Sequence, residues 1–148
     1  MKTIYLVAAA IMMPVMAFAD EGLNVVDAYA RSANGKTGAM FMVIENHTQN
    51  ECRLIWAQSD AAAKVELHTH QETGDGVMKM TQIEDGIAIA AKDNHALSRG
   101  GDHVMLMGLT APWQDGQEIK VTLDFGACGL LEAMVPVDND RAGDHASH

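Results

Sequence analysis

Residues 65–80 read VELHTHQETGDGVMKM. His68 and His70 stand two residues apart before a Gly-Asp-Gly turn, and Met78 and Met80 stand two residues apart after it. Because side chains two apart on a β-strand point to the same face, each pair shares one face of its strand. The glycines favour a tight turn. The stretch therefore predicts a β-hairpin that carries histidine on one strand and methionine on the next.

Short apolar or alternating segments of the same kind recur along the rest of the chain, separated by turn-forming residues. They include AMFMVI (39–44), HVMLMGL (103–109), EIKVTLDF (118–125) and GLLEAMVPV (129–137). None of them keeps a helical period. Many short strands with regular turns are typical of an antiparallel sandwich or barrel, so an all-β fold is predicted.

Composition changes at both ends divide the chain into three parts. Residues 1–19 hold one early lysine, then an apolar run that ends in Ala-Phe-Ala, which predicts a secretory signal cleaved after Ala19. The run is short for a membrane-spanning helix, which needs roughly 20 apolar residues, so no stable membrane insertion is expected after cleavage. Residues 20–137 form one domain, and the polar residues 138–148 are predicted to be a disordered tail.

The charge of the chain is strongly acidic. It has 20 Asp and Glu against 10 Lys and Arg, a formal net charge of −10. Such a surface disfavours nucleic acid and anionic lipid as partners and suits cationic ones.

Two cysteines, Cys52 and Cys128, lie in the exported part of the chain. An even number of cysteines in an oxidising compartment predicts a structural disulfide. A redox-active or metal-binding thiol pair is the alternative.

A second segment repeats the histidine and methionine alternation. Residues 100–109 read GGDHVMLMGL, so His103, Met105 and Met107 share a face if this segment is a strand. If the segment at 65–80 forms a hairpin, His68 and Met80 can approach each other, and a loop carrying His103 and Met105 can close the site from another strand. Thioether sulfur is soft and imidazole is borderline, a ligand combination that suits Cu(I) better than Ca²⁺, Mg²⁺ or structural Zn²⁺.

Core packing is the competing interpretation of these methionines, because methionine is a common filler of hydrophobic cores. We assign Met40, Met42 and Met134 to the core. Spacing alone does not decide whether the remaining methionines bind metal or only pack.

The segments VELHTH, GVMKM and GGDHVMLMGL together resemble the periplasmic copper chaperones called PCu(A)C, and the resemblance covers nearly all of the exported chain. It implies a cupredoxin-like Greek-key β-sandwich. It also implies that His68, Met80, His103 and Met105 bind Cu(I), with Met78 as the alternative sulfur ligand.

The same resemblance implies a function. It indicates a Cu(I) carrier in the periplasm of a Gram-negative bacterium, delivering copper for the CuA centre of cytochrome c oxidase. The implied partners are the copper-centre subunit of that oxidase or a Sco-type protein. No catalytic arrangement of residues stands out, so an enzyme is not expected. A weaker Cu(II) site is predicted from the tail residues His145 and His148 with Asp144, with help from His70; a solvated tail with incidental histidines is the alternative.

Three other functions are weighed against a copper carrier. A blue-copper electron-transfer protein needs a cysteine ligand with a histidine near it, and none closely follows Cys128. A thiol oxidoreductase needs Cys52 and Cys128 to be exposed and reducible. A binding module without metal is the third alternative.

Overall fold

The computed structural model describes residues 22–72, 74 and 76–141. The signal segment predicted for residues 1–19 and the predicted Cu(II) ligands Asp144, His145 and His148 lie outside the described residues.

Regular structure in the described residues consists of β-strands and one 3-10 turn, and the chain is all-β as predicted. The strands are β1 (Leu23–Arg31), β2 (Thr37–Asn46), β3 (Cys52–Leu54), β4 (Trp56–Gln58), β5 (Ala62–Glu72), β6 (Met78–Gln82), β7 (Ile87–Ile89), β8 (Asp93–Leu97), β9 (His103–Leu109), β10 (Glu118–Asp124) and β11 (Leu130–Pro136). The 3-10 turn spans Gly126–Cys128. No helix in this part of the chain is long and apolar enough to cross a bilayer.

The strands form a sandwich of antiparallel sheets. A six-stranded sheet has the order β1-β2-β9-β5-β6, with β8 paired to β2. A three-stranded sheet has the order β11-β10-β4, and β3 pairs with β7. Strand β9 lies between β2 and β5, which precede it in the chain, so long crossover connections join the strands as they do in Greek-key folds. The predicted cupredoxin-like sandwich is confirmed.

The hydrophobic core fills the space between the two larger sheets. Met40 and Met42 of β2 are fully buried in it, as predicted. The core assignment of Met134 is wrong, because its side chain is 54% exposed. On β11 the neighbouring Val135 takes the inward position, and alternation turns Met134 outward.

The predicted disulfide between Cys52 and Cys128 is confirmed, with the two Cα atoms 5.9 Å apart. It ties β3 to the 3-10 turn before β11. A bridge across 76 residues stabilises the fold by roughly 4 kcal/mol in the chain-entropy account. Cys52 is buried and bonded, an arrangement that suits a structural bridge better than an accessible redox pair.

Residues 138–141 continue to contact the domain beyond the boundary predicted from composition. The side-chain oxygen of Asn139 accepts a hydrogen bond of 2.9 Å from the Ser32 amide. The Arg141 guanidinium lies 4.2 Å from the centroid of the Tyr29 ring. The polar composition of this segment thus reflects hydrogen bonding and cation–π contact with the domain over its first four residues.

Candidate metal centre

The histidines and methionines of the two quoted segments lie on the outer face of the six-stranded sheet, opposite the core. We define this outer face by the side chains that alternate with the core residues of β5, β6 and β9. On β9, Val104 and Leu106 enter the core, so His103 and Met105 face outward. His103 is nevertheless only 2% exposed and packs 5.9 Å from the Phe41 ring, measured between centroids.

Strand register brings the three segments together on the outer face. His68 of β5 is directly opposite His103 of β9. His70 of β5 is directly opposite Met80 of β6. Directly opposite residues of an antiparallel pair have Cβ atoms roughly 4.5–5.5 Å apart. The hairpin at 65–80 is confirmed, but its register places Met80 across from His70 and diagonal to His68.

A groove of about 360 Å³ opens on the outer face. Met80, His103 and Met105 all line it, together with His70. Met78 does not line the groove and is 55% exposed, whereas Met80 is 41% exposed. His68 is not among the lining residues and lies beside His103, with the two ring centroids 6.0 Å apart. Three of the four predicted ligands therefore share one groove, and the fourth adjoins it.

His103 is held in the form that a metal ion requires. Its Nδ1–H donates to the Gly101 carbonyl over 3.0 Å, so the lone pair is on Nε2. Burial lowers the pKa of His103, and His70 and His68 lower it further, although the bond to Gly101 acts in the opposite direction. A lowered pKa keeps this imidazole neutral near neutral pH, and a neutral imidazole is the metal-binding form.

The loop before β9 orients two imidazoles with one carbonyl group. His70 Nδ1 also lies 3.4 Å from the Gly101 oxygen. Gly100 has a φ of +84°, a conformation that favours glycine and lets the chain turn here. Asp102 is anchored to His95 of β8 by a contact of 2.8 Å. The Asp102 contact, together with the bond of 2.9 Å from the Gly101 amide to the Ser98 carbonyl, holds in place the carbonyl that positions the histidines.

His68 presents a different ring nitrogen. Its Nε2–H donates to the Glu66 carboxylate over 2.7 Å. The pKa of Glu66 is lowered first by its hydrogen bond from Lys64 and then by that from His68, so the carboxylate acts as the acceptor. The Nδ1 atom of His68 is buried without a hydrogen-bond partner among the described residues. A buried lone pair without a partner is costly, and coordination to a metal ion would satisfy it.

These groups fit a soft monovalent metal ion. Two thioethers and neutral imidazoles suit Cu(I), because such ligands add no negative charge. Within the described residues, no group of three or more His, Cys, Asp and Glu side chains is arranged to hold a metal. A metal site at this groove therefore depends on methionine sulfur.

Sequence reasoning missed two features of the groove surroundings. Glu66 orients His68 through a hydrogen bond. The sequence signal for this contact was the spacing of two residues, which places Glu66 and His68 on the same face of the strand. Arg31 and Arg99 line the groove, although neither stands in a histidine and methionine segment. Sheet pairing and the loop before β9 bring them there, which spacing along the chain does not reveal.

Residues 23–137 match the family model described as "Putative lipoprotein LpqE-like". The chain is 34% identical over 117 residues to "Putative lipoprotein Lxx21020" of Leifsonia xyli subsp. xyli, a match covering 79% of this chain and 70% of that protein. Neither description names an enzyme.

Solved structures with the same fold include the apo PCuAC domain from PmoF1, with a TM-score of 0.67 and 19% identity over 79% of this chain and 93% of that one. The solution structure of CuI-DR1885 from Deinococcus radiodurans matches with a TM-score of 0.59 and 28% identity, covering 80% of this chain and 81% of that one. The predicted resemblance to PCu(A)C proteins is thus confirmed. The chain belongs to the LpqE-like family and has the fold of PCuAC domains.

Proposed function

We propose that this protein is an exported metallochaperone that holds one Cu(I) through His68, Met80, His103 and Met105. The observation that carries the proposal is the groove on the outer face, where two thioethers and a buried neutral imidazole meet. The relation to CuI-DR1885, whose description names Cu(I), supports the choice of metal. His68 completes the set through its buried Nδ1, which has no hydrogen-bond partner among the described residues.

The placement of the groove suits a carrier. Neutral ligands leave the positive charge of Cu(I) uncompensated, and such a charge is tolerated poorly in a dry interior. Met80 lies on the edge strand β6 and is 41% exposed, so one ligand can be reached from solvent. Thioethers need no proton to leave the metal. A partner offering thiolates can therefore replace the ligands one at a time, and transfer is downhill because thiolates bind Cu(I) more strongly than thioethers.

Export to the periplasm of a Gram-negative bacterium is part of the proposal. The signal-like residues 1–19 and the disulfide between Cys52 and Cys128 suit an oxidising compartment. The family and the curated relative are described as lipoproteins, which agrees with an exported protein. Methionine ligands also suit that compartment, because a thioether cannot be lost to a disulfide.

Equilibrium competition for Cu(I) with a chromophoric chelator tests the proposed function. We expect one equivalent of Cu(I) to be retained by the apo-protein under anaerobic conditions. Retention of no copper at chelator concentrations that leave free Cu(I) in the nanomolar range would contradict it, and would favour a binding module without metal.

The choice between His68 and His70 has a matched pair of variants. Both residues lie on β5, His70 lines the groove and His68 adjoins it, and both become glutamine in the test. We expect His68→Gln to weaken Cu(I) binding at least tenfold and His70→Gln to weaken it less. The reverse order would show that His70, which directly faces Met80, is the fourth ligand.

The recipient that we propose is the copper-centre subunit of cytochrome c oxidase or a Sco-type protein, because both offer cysteine thiolates to copper. The test mixes copper-loaded protein with the soluble copper-binding domain of each candidate and follows the copper–thiolate absorption. Transfer no faster than from a free Cu(I) complex would argue against direct delivery.

A secondary Cu(II) site involving His145, His148 and His70 is also proposed, since imidazole nitrogen suits Cu(II). Because residues 138–141 contact the domain, the truncation that tests it removes residues 142–148 only. We expect the truncated protein to bind less Cu(II) and the same amount of Cu(I). Unchanged Cu(II) binding would leave the tail without a role in copper binding.

A further inference from the structure

We infer that Arg31 and Arg99 form a carboxylate-recognition site at the edge of the groove. This site binds an acidic segment of the partner protein with which this chain exchanges copper. The inference rests on the proposed function for the role of that partner. The recognition site itself is a property of the apo-protein and can be tested without copper.

The first observation is the charge of the groove. Arg31 and Arg99 both line it, and none of its described lining residues is Asp or Glu. This is unexpected in a chain with 20 acidic and 10 basic residues. A groove of about 470 Å³ beside Trp56 is lined by Glu66 and Glu84 as well as a lysine. The charged side chains that line the groove at the proposed copper site are therefore both positive, and the nearby Glu66 carboxylate, which does not line it, is already bonded to Lys64 and His68.

The second observation is the position of Arg31. The sheet places it in one cross-strand row with Ala39 and Met105, two strands away from the methionine. Strands lie about 4.8 Å apart, so the Arg31 backbone is about 10 Å from that of Met105, within reach of an arginine side chain. The small side chain of Ala39 lies between them and leaves the row open.

The third observation concerns the free hydrogen-bonding capacity of the two guanidinium groups. Arg31 donates from Nη1 to the Arg141 carbonyl over 3.1 Å, which holds one side of its guanidinium. A guanidinium has five N–H donors, so most of them remain. Among the described residues, neither Arg31 nor Arg99 forms an ion pair with a carboxylate, although both are within a strongly acidic chain. Arg99 is exposed on the loop before β9.

Electrostatics argue for an anionic occupant. Two guanidinium groups beside a site for a monovalent cation oppose metal binding, and a docked carboxylate would neutralise that repulsion. Guanidinium groups bind carboxylates through paired N–H donors, which gives orientation as well as attraction. An acidic partner segment would be drawn to this groove while the remaining acidic surface repels it. Docking would thus be directed to the place where Met80 is exposed.

The test of recognition uses isotope-labelled apo-protein and a hexaglutamate peptide, followed by NMR. We expect saturable shifts at the side-chain Nε–H groups of Arg31 and Arg99 and at the Gly100 and Gly101 amides. Arg99→Gln, a change at an exposed side chain, should weaken peptide binding at least threefold. Shifts confined to other parts of the surface, or an affinity unchanged by Arg99→Gln, would overturn the inference.

Two controls sharpen this titration. Arg53→Gln removes an arginine outside the groove, one that donates to the Asp85 carbonyl over 2.9 Å, and should leave peptide binding unchanged. Acetate at the same carboxylate concentration distinguishes a small anion from a protein segment. If acetate binds as tightly as the peptide, the site recognises small carboxylates and the proposed protein partner is wrong.

A second experiment uses the copper-loaded protein and two Cu(I) acceptors, anionic bathocuproine disulfonate and uncharged neocuproine. We expect the double variant Arg31→Gln/Arg99→Gln to slow transfer to the anionic acceptor about 3- to 10-fold more than it slows transfer to neocuproine, and to weaken the salt dependence of the rate with the anionic acceptor. If the double variant changes the two transfer rates by the same factor, the arginines have no steering role.

The outcomes separate this inference from the proposed function. Binding of hexaglutamate at Arg31 and Arg99 without Cu(I) retention would keep the carboxylate site and reject the chaperone proposal. Retention of Cu(I) without peptide binding at these residues would do the reverse.

Discussion

The two faces of strands β2 and β9 use methionine in opposite ways. Met40 is opposite Val104 and is fully buried in the core. One residue away, Ala39 is opposite Met105, which lines the groove on the outer face. The backbone pairing is continuous between these two positions. What separates a core methionine from a candidate ligand is therefore the side of the pleat on which it stands.

The comparison explains why the same residue type is useful on both faces. In the core, methionine contributes flexible apolar volume and dispersion contacts, and its sulfur matters little. In the groove, a leucine or isoleucine could supply similar volume, and only the thioether can bind a soft metal ion. Substitutions that keep volume and remove sulfur should therefore separate the two roles.

The largest expected effect on stability is on the core face. Met42→Ala should lower the free energy of unfolding by about 2–5 kcal/mol, because it leaves a cavity at a fully buried position. Urea unfolding of the apo-protein measures this loss. Cu(I) affinity at a temperature where the variant is folded should stay within about twofold of wild type. A tenfold loss of copper binding there would mean that the two faces are coupled.

On the outer face we expect the reverse: a large loss of Cu(I) affinity and a small change in stability. Met105→Ile removes sulfur and retains apolar volume, so the stability of the apo-protein should change by less than about 1.5 kcal/mol. Cu(I) affinity should fall at least tenfold, which corresponds to about 1.4 kcal/mol of binding free energy. Chelator competition and urea unfolding are measured on the same preparation. Unchanged copper binding with a large loss of stability would assign Met105 to packing.

The hairpin offers a smaller and more local contrast. Met78 and Met80 both lie on β6 and face the same way, but only Met80 lines the groove among these two. Met80→Ile should weaken Cu(I) binding about tenfold, and Met78→Ile less than about threefold. A larger copper defect at Met78 would show that β6 shifts when the metal binds.

Much of this architecture could be predicted from sequence because it depends on local periodicity. Alternation predicts strands and the faces they share, so the hairpin at 65–80 and the shared face of His103 and Met105 follow directly. The export context predicts the disulfide between Cys52 and Cys128.

Other features depend on contacts between distant segments, which local periodicity does not determine. The register of β5 against β6 decides that Met80 faces His70, and it depends on the length of the turn and on packing against β9. The outward position of Met134 depends on which residues of an edge strand meet the core. The ordered residues 138–141 depend on hydrogen bonds and ring contacts with segments more than 100 residues earlier, such as the bond to Ser32.

Proton binding at His103 gives the smallest expected effect and the most selective comparison between the faces. Burial lowers the pKa of His103 from its ordinary value of 6.5, so the unfolded chain takes up this proton at higher pH than the folded chain. Well above pH 6.5 both states are neutral and the full stability is present. As pH falls from there through the folded pKa, His103 should remove stability, by at most about 1.4 kcal/mol per pH unit for one proton.

The outer face contains a second titrating group, Glu66, which changes charge in a separate pH range. The pKa of Glu66 is lowered from its ordinary value of 4.5, so its contribution to stability is present above that pH and is lost as pH falls further. Urea unfolding of the apo-protein between pH 7.5 and 5 therefore separates the effect of His103 from that of Glu66, and the His103→Gln variant assigns it to this histidine. We expect His103→Gln to flatten the pH dependence in this range and Met42→Ala to lower stability equally at every pH. Parallel pH profiles for wild type and His103→Gln would mean that the buried imidazole does not control acid sensitivity.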